Sequence, residues 1–159
     1  MTVGYLFDDI ARDAVHGLKY GDIRALSPIL GTILSEHLIG LRTRPDVIVP
    51  VPLHSGRMRE RGFNQAESMS NRVAELTGLP VDNGLLNRKL NIPHQAGLQR
   101  ESRERNILGA FEAGPRTRGL HIMLLDDVTT TGSTLEECAR TLKNAGAIRV
   151  DAAVFAKEA

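Results

Sequence analysis

Apolar residues recur along this chain with two different periods, and the switches between them outline its elements. Leu6, Ile10, Ala14 and Leu18 step by four, which predicts an amphipathic helix over residues 6–19, interrupted by Lys19-Tyr20-Gly21-Asp22. Leu26, Leu30, Ile33, Leu34, Leu38 and Leu41 define the face of a second helix. Ser27-Pro28 supplies it with an N-cap and first-turn pair, and Asp22 is the alternative start. Asp46-Val47-Ile48-Val49-Pro50-Val51-Pro52 is instead a continuous apolar run, the mark of a short buried strand that its prolines bring to an end. A basic, glycine-punctuated loop is expected over 53–62. Ala66, Met69, Val73 and Leu76 then predict a helix over 63–77 closed by Gly78. Residues 80–86 read as a short strand, 120–125 as a buried one, 133–145 as a helix ending at Gly146, and 148–156 as a last strand. Alternating strands and helices give an α/β fold: one domain over 1–159, a mostly parallel twisted sheet flanked by helices. Residues 88–107 carry little periodicity; an irregular run of that length inside a compact domain is expected to be a lid or disordered.

Composition changes this picture little. A chain of 159 residues, 42% hydrophobic and 25% charged, can bury one core of its own. A net charge of +1 gives no global electrostatic reason to bind nucleic acid or a membrane surface. Local charge is uneven: Arg57, Arg59 and Arg61 cluster in one loop, and Arg88, Lys89, Arg100, Arg103 and Arg105 in another. Such loops suit an anionic ligand, although Glu60, Glu101 and Glu104 are also consistent with a solvated mixed surface. Cys138 is the only cysteine, which excludes an intramolecular disulfide and a cysteine-based zinc site within the chain. Its helical spacing with Leu135, Ala139 and Leu142 places it on an apolar face. The start lacks a basic segment followed by an apolar one, and no stretch reaches ~18 apolar residues, so neither a signal peptide nor a membrane span is expected. The cytoplasm is the default compartment.

The richest chemistry lies in Asp126-Asp127-Val128-Thr129-Thr130-Thr131-Gly132-Ser133-Thr134, placed between the strand over 120–125 and the helix that follows. Two carboxylates at a strand end can accept hydrogen bonds from vicinal hydroxyls or attract a ligand-bound metal. Backbone N–H groups at a helix start, assisted by threonine and serine hydroxyls, can cradle a phosphate. Each half alone is common, since Ser or Thr before a helix is often only a cap. Their adjacency at one turn points to a phosphorylated sugar. The run has no Gly-Lys-Ser/Thr ending and no three spaced glycines, so it is neither a Walker A loop nor a dinucleotide fingerprint. In open parallel sheets ligands bind beyond the carboxyl ends of the strands, so loops 53–62 and 126–134 can grip opposite ends of one ligand.

This pairing resembles a type I phosphoribosyltransferase, whose phosphoribosyl diphosphate (PRPP) signature residues 126–134 match closely. A broader similarity, to the ComF-like branch associated with competence proteins, runs through Leu18-Lys19-Tyr20-Gly21-Asp22, Val49-Pro50-Val51-Pro52-Leu53-His54 and Arg61-Gly62-Phe63-Asn64-Gln65-Ala66. It continues through Gln95-Ala96-Gly97-Leu98 and Arg105-Asn106-Ile107-Leu108-Gly109-Ala110-Phe111. The resemblance implies that Asp126 and Asp127 bind the ribose hydroxyls, and that Thr130, Thr131, Gly132, Ser133 and Thr134 bind the 5-phosphate. It implies that Leu53, His54, Ser55, Gly56 and Arg57 bind the diphosphate, with a non-proline cis peptide near the start of that loop. Residues 88–107 are then the flexible catalytic loop, with Arg103 and Arg105 as catalytic arginines that join Arg57 in neutralising diphosphate. Mg²⁺ is the implied cofactor, held mainly by PRPP oxygens.

Two departures qualify the resemblance. The cysteine-rich zinc-binding segment that usually opens ComF-like proteins is missing, so this is a shortened branch or the natural start lies upstream. Thr130 also stands where purine-salvage members carry an aspartate base, which leaves the acceptor open. The expected activity is therefore transfer of ribose 5-phosphate from PRPP to an unidentified nitrogen nucleophile in nucleotide metabolism. The alternatives are a non-catalytic PRPP-binding regulator and a competence accessory protein handling single-stranded DNA. With no tryptophan and 4% aromatic residues, stacking platforms for single strands are poorly supplied, so DNA is the less favoured partner. A homodimer is left open, and no membrane partner is expected.

Overall fold

The computed structural model describes residues 2–6, 26–89 and 107–157. The helix predicted over 6–19 and most of the irregular segment, Arg100, Arg103 and Arg105 included, lie outside the described residues. In chain order the elements are β1 (Thr2–Leu6), α1 (Leu26–Ile39), β2 (Val47–Pro50), α2 (Ser55–Arg61), α3 (Gln65–Thr77), β3 (Leu86–Arg88), β4 (Phe111–Ala113), β5 (His121–Thr129), α4 (Ser133–Asn144) and β6 (Arg149–Lys157). A 3-10 turn at Pro115–Thr117 precedes β5.

Four strands form a sheet in the order β1-β6-β5-β2, with every pairing parallel. Parallel sheets need cover on both faces, which is why these strands read as unbroken apolar runs. On one face Ile48, Met123, Leu125, Ala153 and Phe155 pack with Leu30, Leu34 and Leu38 of α1 and Met69 and Val73 of α3. On the other, Val47, Val49, Ile122, Leu124 and Val154 meet Leu135, Cys138 and Leu142 of α4 together with Leu86 and Phe111. The two helices of the first face approach closely at Gly31. A Cβ there would stand 2.8 Å from the Met69 carbonyl oxygen and 2.9 Å from Arg72 Cβ.

Most of the main elements fall where the periodicity places them, but β1 was not expected: Thr2–Leu6 pairs in parallel with β6, and Leu6, read as the first residue of a helix, is its last strand residue. The strand expected over 80–86 is reduced to one parallel bridge, Val81 to Ile48, flanked by Ile48 N–H to Pro80 carbonyl and Asp82 N–H to Ile48 carbonyl bonds. Leu86 turns instead into a second, two-stranded antiparallel sheet, where Leu86, Asn87 and Arg88 face Ala113, Glu112 and Phe111. The basic loop over 53–62 contains a helix, α2, closed by the Gly62 N–H to Met58 carbonyl bond. Strand β5 runs through the acidic pair to Thr129, because β6 offers ladder partners as far as Lys157.

Candidate functional site

Strands β2 and β5 are neighbours in register, Val47 beside Ile122 and Pro50 beside Leu125, so the loops that follow them open on the same edge of the sheet. One further bond, Val51 N–H to the Leu125 carbonyl at 2.9 Å, carries the pairing past Pro50. Beyond it the chain enters α2, whose first turn is organised by His54. Its Nδ1 accepts the Gly56 N–H at 3.1 Å and its carbonyl accepts the Met58 N–H at 2.9 Å. His54 is thus the N-cap of α2, with its ring proton on Nε2. Ser55 and Gly56 are half-buried, Arg57 is exposed, and no residue of α2 is buried. All described peptide bonds are trans, so the expected cis peptide near Leu53 is absent; the trans chain already brings the His54 carbonyl onto the α2 axis.

Asn64 fixes this loop from behind. Its Oδ1 accepts the Ala66 N–H at 3.1 Å as the N-cap of α3, and its Nδ2 donates to the Val51 carbonyl at 3.1 Å. One side chain therefore ties the end of β2 to the start of the next helix. Asn64 belongs to the Arg-Gly-Phe-Asn-Gln run, and its position ahead of an apolar helical stripe was the signal for its capping role.

On the second loop, Asp126 and Asp127 are half-buried in β5. The Asp126 carboxylate accepts the Asp127 N–H at 2.9 Å, and the Asp127 carboxylate accepts the Val128 N–H at 2.7 Å. Gly132 then turns the chain into α4 with φ +87°, a left-handed conformation that glycine adopts without strain. Thr131 Oγ1 and Ser133 Oγ are 2.6 Å apart, and Thr131 Oγ1 also accepts the Ser133 N–H at 3.3 Å. The Glu136 N–H bonds the Gly132 carbonyl at 2.9 Å, so the N–H groups ahead of it lie at the start of the helix, where intrahelical partners are lacking. Cys138, one turn on, is fully buried; burial first and the Asp126 charge second push its thiol up, so it stays protonated.

Two other groups stand at this edge: Glu137, which sequence reasoning missed, and Arg88, which it read only as one of the basic residues of 88–105. Glu137 is 5% exposed, and its carboxylate takes a forked pair of bonds from Arg140, at 2.9 and 2.6 Å, plus the Gly109 N–H at 2.7 Å. The Arg140 bonds, opposed by burial and helped by the Gly109 N–H, hold its carboxyl below the usual range. It ties α4 to the point where the chain returns from residue 106. The second is Arg88 of β3, whose guanidinium carbon lies 5.3 Å from the Phe111 ring centroid. A cavity of about 250 Å³ opens between the loop after β2, the start of α3 and β3. His54, Ser55, Asn64, Glu67, Arg88 and Lys89 help to line it. A broader depression of about 450 Å³ between α1 and α3 includes no residue of either loop. Among the described residues no three His, Cys, Asp or Glu side chains gather to hold a metal, and no helix is long and apolar enough to cross a membrane.

Comparison with known proteins agrees with this geometry. The family model for the phosphoribosyl transferase domain matches residues 19–159. A DNA utilization protein YhgH of Salmonella typhi is 35% identical over 141 residues, 86% of this chain and 62% of that protein. Competence protein F of Haemophilus influenzae is 34% identical over 105 residues, 64% of this chain and 46% of that protein. Competence protein ComFC of Bacillus subtilis is 29% identical over 143 residues, 89% and 57% of the two chains. The chain thus spans about half to three fifths of the length of these relatives. Among solved structures, the glutamine PRPP amidotransferase of B. subtilis superposes with a TM-score of 0.57 at 21% identity, covering 81% of this chain and 26% of that one, which is a likeness of fold. With a parallel sheet carrying both loops on one edge and the family's domain model matched from residue 19 onward, the chain belongs to the phosphoribosyl transferase domain family.

Proposed function

We propose that this chain binds PRPP with Mg²⁺ and transfers its ribose 5-phosphate group to a nitrogen nucleophile, releasing diphosphate. The observation that carries the reading is the shared edge: adjacent parallel strands β2 and β5 deliver the loop 53–57 and the loop 130–134 to one side of the sheet. In this reading Thr130, Thr131, Gly132, Ser133 and Thr134 hold the 5-phosphate, Asp126 and Asp127 the ribose hydroxyls, and Leu53 to Arg57 the diphosphate. His54 serves chiefly by shaping its loop, since its Nδ1 is committed to Gly56. Arg103 and Arg105 remain the proposed catalytic arginines. Mg²⁺ would be held mainly by the oxygens of PRPP and would supply charge neutralisation there.

In the transfer the anomeric C–O bond breaks with its electron pair leaving on diphosphate, and a C–N bond forms from the acceptor's lone pair, through an oxocarbenium-like state. The chain's task is electrostatic, with cations facing the leaving group and carboxylates facing the sugar. Thr130 offers no carboxylate base, which leaves the nitrogen acceptor open. Calorimetric titration of PRPP with and without Mg²⁺ tests the reading. Saturable binding that weakens in an Asp126→Asn, Asp127→Asn double variant of unchanged fold is expected; no binding at millimolar PRPP overturns it. Diphosphate release across a panel of nitrogen bases and ammonia then separates the enzyme from a regulator that only senses PRPP.

A second reading, a role in DNA handling, is supported by the names of the YhgH and competence-protein relatives and by the exposed Arg57 and Arg59 of α2. It requires binding to single strands whose affinity falls steeply with salt and with neutralisation of Arg57 and Arg59.

A further inference from the structure

Helix α4 serves two neighbours within its first two turns. Its start continues the turn of Thr131 and Gly132, and one turn on Glu137 reaches toward the β3–β4 hairpin. Four residues advance a helix by about 6 Å, so Glu137 stands on the face of Ser133, one turn below it. Glu137 is 5% exposed and its carboxyl is held below the usual range, so it is a buried anion at neutral pH. Such a charge is tolerated only where its oxygens are matched with donors. Arg140 supplies a fork, at 2.9 Å to Oε2 and 2.6 Å to Oε1, and the Gly109 N–H supplies a third bond, at 2.7 Å to Oε1.

The hairpin otherwise meets α4 through apolar side chains. Ala110 and Phe111 share a core with Leu135, Cys138 and Leu142. Apolar contact is non-directional and does not fix the register of two surfaces. Among the described residues the polar link between α4 and this end of the hairpin is the bond from Gly109 to Glu137. It is charge-assisted and directional, so it sets where the hairpin sits along the helix. Gly109 makes it from the left-handed conformation, φ +74°, and the next residue enters the hairpin through the Lys89 N–H to Ala110 carbonyl bond.

We propose that Glu137 is a positioning residue that couples the start of α4 to the β3–β4 hairpin, so that an anion held by residues 130–134 tightens the attachment at Gly109. This rests on the PRPP reading above and extends it from what that loop binds to what binding there changes elsewhere. The first turn of α4 is held by the Glu136 N–H to Gly132 carbonyl bond and by the Thr131–Ser133 hydroxyl pair. An anion accepting from the N–H groups of that turn adds bonds to it. Glu137 begins the next turn, and in helix geometry its N–H bonds the Ser133 carbonyl. Ordering the first turn therefore gives Gly109 a steadier acceptor, and freedom already lost at one end need not be lost again at the other. The coupling is reciprocal: loosening Gly109 weakens the anion by the same factor.

Hydrogen exchange of the Gly109 amide in the full chain, read by NMR with and without saturating ribose 5-phosphate, tests the coupling. In the wild type the ligand should slow exchange at Gly109 by on the order of tenfold. Amides of α1, which packs on the opposite face of the sheet, should change by less than about twofold. Glu137→Ala should bring the Gly109 ratio to about one and weaken ribose 5-phosphate by a factor similar to the one lost. Glu137→Gln keeps an oxygen for the Gly109 N–H without the charge and should fall between. A merely structural tie behaves differently: exchange in Glu137→Ala would quicken with and without ligand, and the ratio would be kept. Should Glu137→Ala fail to fold, Glu137→Gln still decides, because its ratio must fall below that of the wild type. A wild-type ratio of one, equal slowing across α1, or an unchanged ratio in a folded variant overturns the coupling. Absence of ribose 5-phosphate binding overturns it too, and PRPP titrated alongside with Mg²⁺ shows whether the PRPP reading falls with it or stands alone.

Discussion

Replacing Asn64 by alanine removes two bonds with different jobs, and the structure separates them. The Oδ1 bond to the Ala66 N–H is an N-cap, whose loss costs about 1 kcal/mol within a range of roughly 0.5–2. The Nδ2 bond satisfies the carbonyl of Val51, a residue 6% exposed, and leaving such a buried acceptor without its donor costs about 1–3 kcal/mol. Asn64→Ala should therefore lose roughly 2–4 kcal/mol. Asn64→Asp keeps a capping oxygen but no donor, so at neutral pH it should lose only the second contribution and lie between wild type and Asn64→Ala. Urea unfolding of the three proteins, read as midpoint shifts at constant slope, measures both steps. Because the Val51 carbonyl is the last fixed point before the loop 53–57, both variants should also bind PRPP more weakly. The reasoning is refuted if Asn64→Asp matches wild type in stability, since the Val51 bond would then contribute nothing. It is refuted equally if Asn64→Ala loses less than about 0.5 kcal/mol.

Two further outcomes follow from packing and charge away from the site. Gly31→Ala would push a methyl against the Met69 carbonyl and Arg72 Cβ; the overpacking cost of about 1–3 kcal/mol should exceed the ~1 kcal/mol gain in helix propensity, and a calorimetric Tm above wild type would contradict the close α1–α3 contact. Burial alone would raise the Asp151 carboxyl, but bonds from His121 Nε2 at 2.8 Å and Arg149 Nε at 2.9 Å outweigh it and hold it below the usual range. A depressed carboxyl contributes stability present above its unfolded value near ~3.9 and lost as pH falls through the lower folded value. Asp151→Asn should thus be less stable than wild type at neutral pH and flatten the acid limb of the stability profile; matching acid limbs would remove Asp151 from the account.

The large elements were legible because each announces itself within its own sequence. The apolar runs of β2, β5 and β6 could be buried only in a parallel sheet, and Met69 and Val73 mark the inner face of α3 with Gly78 behind it. The turn from β5 into α4 was legible for the same reason: Thr131, Gly132 and Ser133 carry turn chemistry locally. What was not legible depends on partners distant in sequence. Strand β4 is three residues whose only cue is Arg88, more than twenty positions earlier. Helix α2 buries none of its side chains, so it has no apolar stripe to betray it, and its stability comes from His54 and Gly62 at its ends. The acidic pair lies within β5 because β6 is long enough to pair with it, a fact held in residues 154–157. Glu137 escaped notice and Arg88 was read only as part of a basic cluster, because a bond to Gly109 and a stack on Phe111 are tertiary events that no spacing rule records.

The hairpin formed by β3 and β4 has an evolutionary corollary. Arg88 opposite Phe111, with the Lys89 N–H on the Ala110 carbonyl at 2.9 Å and Gly109 moored to Glu137, sets the separation of the exit and return points whatever lies between them. The segment between them starts and ends at these two fixed points. Closing a longer one costs only about 0.6 kcal/mol for each doubling of its length. A change of length between residues 90 and 106 is therefore expected to leave the β3–β4 pairing and the parallel sheet in place.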